Sequence, residues 1–263
     1  MIKKPFRRIQ ILFYIVLFFS TFTNLAASAE NRGDDILAAV ATNFYNPFRE
    51  IAEQFEQQTG HKVQIISGST GKLYAQIVNG APFDLFLSAD SWRPKLLEQE
   101  GKAILETRFT FALGKITLWS HNPNVVSQNG KLTLQKNNFT HIALANPATA
   151  PYGRAARQTL KRIGLWKKIQ PMVVQGENIG QVFQFVSSQN AELGFVALSQ
   201  VLDPKNNIIG SRWDVPQNLY DLLEQDVIVL KNAENNFKAM ALWKFLGDKL
   251  AKQIIKKYGY GLP

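Results

Sequence analysis

The chain has 263 residues, a formal net charge of +10 and no cysteine, which excludes disulfides, thiolate metal ligands and cysteine nucleophiles together. Its basic residues are spread along the sequence, with short clusters at Lys161-Arg162, Lys167-Lys168 and Lys256-Lys257. These clusters are more typical of solvated helix faces than of a nucleic-acid groove, and the mild positive field that remains would help to recruit an anion.

The first 29 residues have the features of a secretory signal peptide. Four basic residues lie among the first eight, an apolar run covers residues 11–19, and Ala27-Ser28-Ala29 matches the small-residue cleavage pattern. A membrane anchor is the alternative, but the run is shorter than the ~20 residues that a spanning helix needs. We therefore predict cleavage after residue 29 and a periplasmic protein that has no cysteine to carry a lipid anchor.

Beyond residue 29, short β-rich runs alternate with helical patterns. The predicted strands cover residues 35–40, 62–67, 84–89, 116–120, 141–146, 172–175, 193–198 and 226–230. This alternation predicts an α/β fold with mainly parallel sheets. The length of the exported chain exceeds that of a usual single domain and suits two lobes with separate cores.

Apolar residues at helical spacing follow several of these strands. Phe48, Ile51 and Phe55 define one face of a helix that Gly60 ends. Shorter helices follow the later runs, with apolar positions at Leu73, Ile77, Val78, Ala156, Leu160, Ile163, Val182, Phe183 and Val186. A long helical pattern that includes Phe237 fills the C-terminal segment and ends at Tyr258-Gly259-Tyr260-Gly261.

Four strand-to-helix turns are rich in small, hydroxyl or amide residues. They are Ala41-Thr42-Asn43, Gly68-Ser69-Thr70-Gly71, Pro151-Tyr152-Gly153 and Glu177-Asn178-Ile179-Gly180. In an open α/β sheet, ligands bind beyond the carboxyl ends of the strands, where helices begin. A helix N-terminus offers unpaired N–H groups and partial positive charge, so four converging turns would form an anion site without basic side chains.

Each turn has a simpler interpretation when it is taken alone. Thr42, Asn43, Ser69 and Thr70 are residue types that cap helices, and capping is the better explanation for any single turn. Only the set of four favours a ligand site. Gly71-Lys72 does not belong to a nucleotide phosphate loop, because the motif needs residue types that the flanking positions lack.

The acidic and histidine residues give no catalytic or metal pattern. His61, His121 and His141 lie far apart in sequence and have no metal-binding spacing. Asp84 and Asp90 flank a predicted strand, and we interpret them as a strand start and a helix cap rather than as paired acids.

The sequence also resembles a known family along nearly its whole exported length. The resemblance lies in Ala38 to Phe44, in Gly68 to Ile77, in Gly80 to Asp90, and in shorter motifs around Asn146-Pro147, Tyr152-Gly153, Asn178-Ile179 and Tyr258-Gly259. In this order these motifs are similar to those of the periplasmic molybdate-binding proteins of ABC transporters. Closely related oxyanion binders share parts of them.

This resemblance implies a two-lobed periplasmic binding protein fold (type II), in which helices flank a mainly parallel sheet in each lobe and the ligand lies in the cleft. The implied lobes are residues 30–112 plus 213–263 and residues 113–212. The implied partners of the protein are molybdate or tungstate and a membrane permease. The resemblance also implies a monomer that binds no nucleic acid and needs no cofactor. No protein atom would bind the metal directly, because the oxyanion is held through its oxygens by Thr42, Asn43, Ser69, Thr70, Tyr152 and the backbone N–H of Ile179.

One departure from the family pattern concerns Ala197, because some members have a tyrosine hydroxyl there. Tyr152 is expected to supply the hydroxyl instead. Molybdate is a proton-free dianion at neutral pH, so its site needs donors, and the Glu177 carboxylate is expected to point away from it.

Three alternatives remain open from the sequence. A binding protein for sulfate, phosphonate or another oxyanion would have the same fold. An exported hydrolase with Ser69 as nucleophile would need a base and a G-x-S-x-G turn, and neither is present near Ser69. A ligand sensor that serves no transporter is the third.

Overall fold

The computed structural model describes residues 35–205 and 208–263. The predicted signal peptide, residues 1–29, lies outside these residues. The described chain forms two five-stranded sheets with helices packed against them. Within it, no helix is both long enough and apolar enough to cross a bilayer.

The first sheet has the strand order β2-β1-β3-β10-β4. Its strands are β1 (Ile36–Ala41), β2 (Val63–Gly68), β3 (Leu85–Leu87), β4 (Phe109–Gly114) and β10 (Leu223–Val229). Strand β1 is almost fully buried because it lies between β2 and β3 and has helices on both faces. Such central strands read as continuous apolar runs, which is why β1 was predictable.

The second sheet has the order β7-β6-β8-β5-β9. Its strands are β5 (Ile116–Ser120), β6 (Ile142–Ala145), β7 (Val173–Gly176), β8 (Leu193–Ala197) and β9 (Ser211–Asp214). We call each sheet with its helices a lobe. The chain passes between the sheets at residues 114–116 and again at residues 214–223.

The α/β fold and the eight predicted strands are confirmed, with ends shifted by a few residues. The prediction of mainly parallel sheets is wrong in part, because each sheet has two parallel and two antiparallel pairings. Every antiparallel pairing involves β5 or β10, the strands that lie beside the crossings between the lobes. Their partners β4 and β9 were not predicted.

Ten α-helices cover the sheets in the described chain. They are α1 (Tyr45–Thr59), α2 (Thr70–Val78), α3 (Trp92–Gln99), α4 (Gly130–Lys136), α5 (Pro151–Arg162), α6 (Trp166–Ile169), α7 (Ile179–Ser187), α8 (Leu198–Val201), α9 (Phe237–Leu246) and α10 (Lys249–Lys257). Helix α1 buries Phe48, Ile51 and Phe55 as predicted and ends at Gly60, whose φ of 74° suits glycine.

The C-terminal segment differs from its prediction. The long helical pattern is two helices, α9 and α10, because the chain turns at Gly247 and Asp248. Phe237 was assigned to the apolar face but begins α9 with 69% of its surface exposed. The buried residues of α9 and α10, including Leu242 and Ile255, pack in the core of the first lobe with β1 and α1. One lobe is thus built from both ends of the described chain.

Candidate functional site

A pocket lies between the two lobes, at the carboxyl ends of β1 and β2 on one side and of β6 and β7 on the other. About 200 Å³ of space is free of atoms there. Its lining contains all six residues predicted for the site: Thr42, Asn43, Ser69, Thr70, Tyr152 and Ile179.

Ser69 occupies the N-cap position of α2 but does not cap the helix. Its backbone is extended, its side chain accepts no hydrogen bond from the first turn, and only 4% of the residue is exposed. The Oγ atom has no hydrogen-bond partner among the described residues. Because a buried hydroxyl without a partner is unfavourable by about 1–3 kcal/mol, the Ser69 hydroxyl is available to donate to a ligand in the pocket.

The other hydroxyls of these turns have partners in the protein. Thr42 Oγ1 donates to the Gly68 carbonyl at 3.0 Å, which ties the ends of β1 and β2 together. Thr70 Oγ1 accepts from the Ala89 N–H at 3.1 Å, which leaves the Thr70 hydroxyl proton free to donate to another group. Neither side chain caps a helix in the way that the simpler interpretation assumed.

The Asn43 side chain bonds to other residues of the protein rather than to a ligand. Its Nδ2 donates to Gln225 Oε1 at 2.9 Å and to the Tyr260 hydroxyl at 3.0 Å. Both N–H bonds of the amide are therefore used within the protein. What Asn43 leaves for an anion is its backbone N–H at the start of a short 3-10 helix, Thr42–Phe44.

Tyr152 lies in the first turn of α5, and its hydroxyl oxygen accepts from Gln225 Nε2 at 2.9 Å. Burial raises the pKa of Tyr152 well above its ordinary value, and burial likewise raises the pKa of Tyr260 to about 12. Both phenols therefore remain protonated near neutral pH. Tyr152 can serve as a neutral donor there.

Helix α7 points its N-terminus at the pocket. Asn178 caps it, since Asn178 Oδ1 accepts from the Gln181 N–H at 3.0 Å, so for Asn178 the capping interpretation holds. The N–H groups of Ile179 and Gly180 have no acceptor within the helix. Gly180 also permits the lobes to approach, because a Cβ there would lie 2.4 Å from Thr42 Cγ2.

Charged side chains surround the pocket but do not line it within the described chain. Glu177 pairs with Lys72 across the lobes, so its carboxylate points away from the pocket as expected. On another side, Arg154 of the second lobe donates to Asp90 of the first at 2.8 Å, and Asp90 also binds Arg93 at 2.5 Å. The Lys72–Glu177 and Arg154–Asp90 pairs thus bridge the cleft, the Asp90–Arg93 pair lies within the first lobe, and the pocket lining itself carries no charge.

The remaining candidates lie elsewhere. His61 packs beside Phe237, His121 beside Trp119, and the His141 N–H binds Glu192, so none of them meets Ser69. In residues 35–205 and 208–263, no group of three or more acidic, histidine or cysteine side chains is placed to hold a metal ion.

Ala197 and the two aspartates also have structural positions. Ala197 ends β8, is fully buried and is not part of the pocket lining. Asp84 accepts from the Leu37 N–H at 2.7 Å at the start of β3. Asp90 accepts from the Arg93 N–H at 3.1 Å beside the start of α3, in agreement with a cap-like role.

Sequence patterns missed the buried polar residues behind the pocket. Gln225, Tyr260 and Ser199 connect Asn43 and Tyr152 through a continuous set of hydrogen bonds. Gln225 and Ser199 lie in segments that otherwise look like an ordinary strand and helix. The only signal was the Tyr258-Gly259-Tyr260-Gly261 motif, which entered through the family resemblance.

Known proteins resemble the chain over nearly all of its described length. The model of the family described as bacterial extracellular solute-binding protein matches residues 36–261. The chain is 48% identical over 228 residues to the molybdate-binding protein ModA of Azotobacter vinelandii, covering 87% of this chain and 90% of the relative. It is 42% identical over 226 residues to the molybdate-binding protein ModA of Rhodobacter capsulatus, covering 86% and 88% respectively.

A solved structure agrees with these sequence matches. The periplasmic molybdate-binding protein of Azotobacter vinelandii matches with a TM-score of 0.84 and 41% identity, over 87% of this chain and 100% of that chain. The two-lobed α/β architecture is therefore shared over the full length of the solved relative.

Proposed function

The chain belongs to the family of bacterial extracellular solute-binding proteins, and we propose that it binds molybdate in the periplasm and delivers it to an ABC import permease. Two relatives above 40% identity are molybdate-binding proteins by name, and both are covered almost end to end. We also infer that residues 1–29 direct export, that the exported chain acts as a monomer, and that tungstate competes for the same pocket.

The observation that carries this proposal is the unpaired Ser69 hydroxyl in a pocket without charged lining residues. A fully deprotonated oxyanion accepts hydrogen bonds and donates none. Ser69 Oγ, the Tyr152 hydroxyl and the N–H groups of Tyr152 and Ile179 at the starts of α5 and α7 are able to donate to it, whereas the Gly71 N–H of α2 is used by the Thr149 carbonyl. A protonated phosphate would require an acceptor, which a lining of this kind does not favour.

The proposed contacts follow the residues that line the pocket. Ser69 and Tyr152 donate through their hydroxyls, and Thr70 through the hydroxyl proton that Ala89 leaves free. Thr42, Asn43 and Ile179 contribute backbone N–H groups. The lobes follow the two sheets, so the predicted boundaries near residues 112 and 212 move to the crossings at 114–116 and 214–223.

Titration calorimetry of the purified, dialysed protein with molybdate, tungstate, sulfate and phosphate tests the proposal. We expect molybdate and tungstate to bind with similar affinity, sulfate to bind more weakly because it is smaller, and phosphate to give no signal. Ser188→Ala, which removes an exposed hydroxyl at the end of α7, should bind like the wild type. Tighter binding of sulfate than of molybdate would instead support the other oxyanion carriers.

Delivery to a permease needs a separate measurement. Cells that lack this chain but retain the importer should lose uptake of trace molybdate and regain it when the chain is restored. Normal uptake in those cells, together with tight binding in the calorimeter, would favour the sensor alternative.

A further inference from the structure

Gln225 is a fully buried polar residue behind the pocket, and it does not line the pocket. It lies on β10 of the first lobe, where the pairing with β4 shifts register between Gln225 and Asp226. A buried amide is tolerated when its oxygen and nitrogen are both hydrogen-bonded. Here the two partners are residues of the pocket.

The Gln225 amide joins the two lobes. Its Oε1 accepts from Asn43 of the first lobe at 2.9 Å, and its Nε2 donates to the Tyr152 hydroxyl of the second lobe at 2.9 Å. Gly114 leaves room for the second bond, because a Cβ at Gly114 would lie 2.5 Å from both Gln225 Nε2 and the Tyr152 hydroxyl oxygen.

The orientation of this amide follows from the hydrogen bonds of the Tyr260 hydroxyl. The Tyr260 hydroxyl donates its proton to the Asn43 carbonyl at 2.8 Å or to Ser199 Oγ at 3.0 Å, and not to the Asn43 side chain. The Tyr260 oxygen must then accept from Asn43 Nδ2. Because Asn43 presents its nitrogen, Gln225 must present its oxygen to Asn43 and its nitrogen to Tyr152.

The N–H that Gln225 donates to the Tyr152 oxygen limits the directions in which the Tyr152 hydroxyl proton can point. The Tyr152 oxygen accepts from Gln225, and the Tyr152 hydroxyl also forms a hydrogen bond with the neighbouring Tyr260 hydroxyl, so an anion in the pocket competes with the Tyr260 oxygen for the Tyr152 proton. An anion competes well for this proton, because hydrogen bonds to charged acceptors are about twice as strong as neutral ones.

We propose that Gln225 is a positioning residue for anion capture: by donating to the Tyr152 oxygen, it directs the Tyr152 proton into the pocket. This inference rests on the proposed function, since it requires an anion between the lobes. It predicts that the effect of Gln225 on affinity passes through the Tyr152 hydroxyl.

A double-mutant cycle tests this coupling. Gln225→Met keeps a long unbranched side chain and removes both amide contacts, while Tyr152→Phe removes the hydroxyl. We expect Gln225→Met to weaken molybdate binding about tenfold with Tyr152 present and less than about threefold in the Tyr152→Phe background. The Tm should fall in both backgrounds, and by less in the Tyr152→Phe background, where only the Asn43 contact remains to be lost.

The outcomes separate this inference from the proposed function. If the wild type does not bind molybdate, the proposed function fails. If the wild type binds but Gln225→Met weakens binding equally in both backgrounds, Gln225 is only structural and the inference is wrong. Should Gln225→Met not fold, the same cycle with Gln225→Glu decides, because the carboxylate still accepts from Asn43 but has no N–H to donate to the Tyr152 oxygen.

Discussion

Ser69→Ala should have opposite effects on anion affinity and on the stability of the protein. The wild-type hydroxyl is buried and has no partner in the described chain. A hydrogen bond to a charged oxygen is worth about 1.5–3 kcal/mol, so its loss should weaken molybdate binding by roughly tenfold to a hundredfold. Without molybdate, the alanine variant should be at least as stable as the wild type, because it no longer buries an unsatisfied hydroxyl.

The neighbouring Thr70→Val provides the matched comparison. Thr70 Oγ1 accepts from the buried Ala89 N–H at 3.1 Å, so an isosteric valine leaves that N–H without its acceptor. The free energy of unfolding without molybdate should fall by about 1–3 kcal/mol. For a chain of this size, each kcal/mol corresponds to a fall in Tm of roughly 2–4 °C.

Calorimetric titration gives the affinities, and denaturant unfolding without molybdate gives the stabilities. The reasoning is refuted if Ser69→Ala lowers stability as much as Thr70→Val and leaves the molybdate affinity unchanged. That pattern would make Ser69 an ordinary part of the α2 N-terminus, and the pocket donors would have to be sought among the backbone N–H groups alone.

Three further predictions concern closure and pH. Arg154→Gln removes the 2.8 Å contact with Asp90 across the cleft, so stopped-flow measurements should show molybdate release that is several times faster, with little change in association; unchanged release would contradict the idea that this pair holds the lobes together. Gly180→Val places atoms against Thr42, so molybdate should bind at least about tenfold more weakly, and solution scattering should show no compaction that the wild type does show. Burial raises the pKa of Tyr260 to about 12, so the folded state holds a proton that the unfolded state loses above about pH 10. Stability should therefore fall between about pH 10 and 12, and this fall should be smaller in Tyr260→Phe.

Much of the fold was predictable from hydrophobic patterns because its central strands are buried on both faces. Strand β4, in contrast, is separated from β5 by a single residue, Lys115, so the two strands form one nearly continuous apolar run. Strand β9 is short, lies at the edge of its sheet, and carries Arg212 and Asp214. Both pair antiparallel with strands distant in sequence, and such pairings follow from tertiary structure rather than from local periodicity.

The positions of the pocket residues were predictable, but the state of their hydrogen bonds was not. Turn composition and family resemblance pointed to Ser69 and Asn43, which both line the pocket. Composition cannot show that the Ser69 hydroxyl is unpaired or that the Asn43 amide is fully used, because their partners are decided by residues distant in sequence. Gln225, for example, is 182 residues from Asn43, and its contact exists only because β10 joins the first sheet.

In the proposed function, a division of donors between the lobes would let one site combine tight binding with release. Ser69 and the Asn43 N–H belong to the first lobe, whereas Tyr152 and the Ile179 N–H belong to the second. Each lobe alone offers only part of the set, so opening the cleft removes several hydrogen bonds at once. A permease that favours the open form therefore needs no contact with the anion, because its preference for one conformation lowers affinity. The pairs of Lys72 with Glu177 and of Arg154 with Asp90 lie outside the pocket lining. On the proposed function they would favour the closed form, while neutral donors would hold the anion without a buried counter-charge that is left unpaired on release.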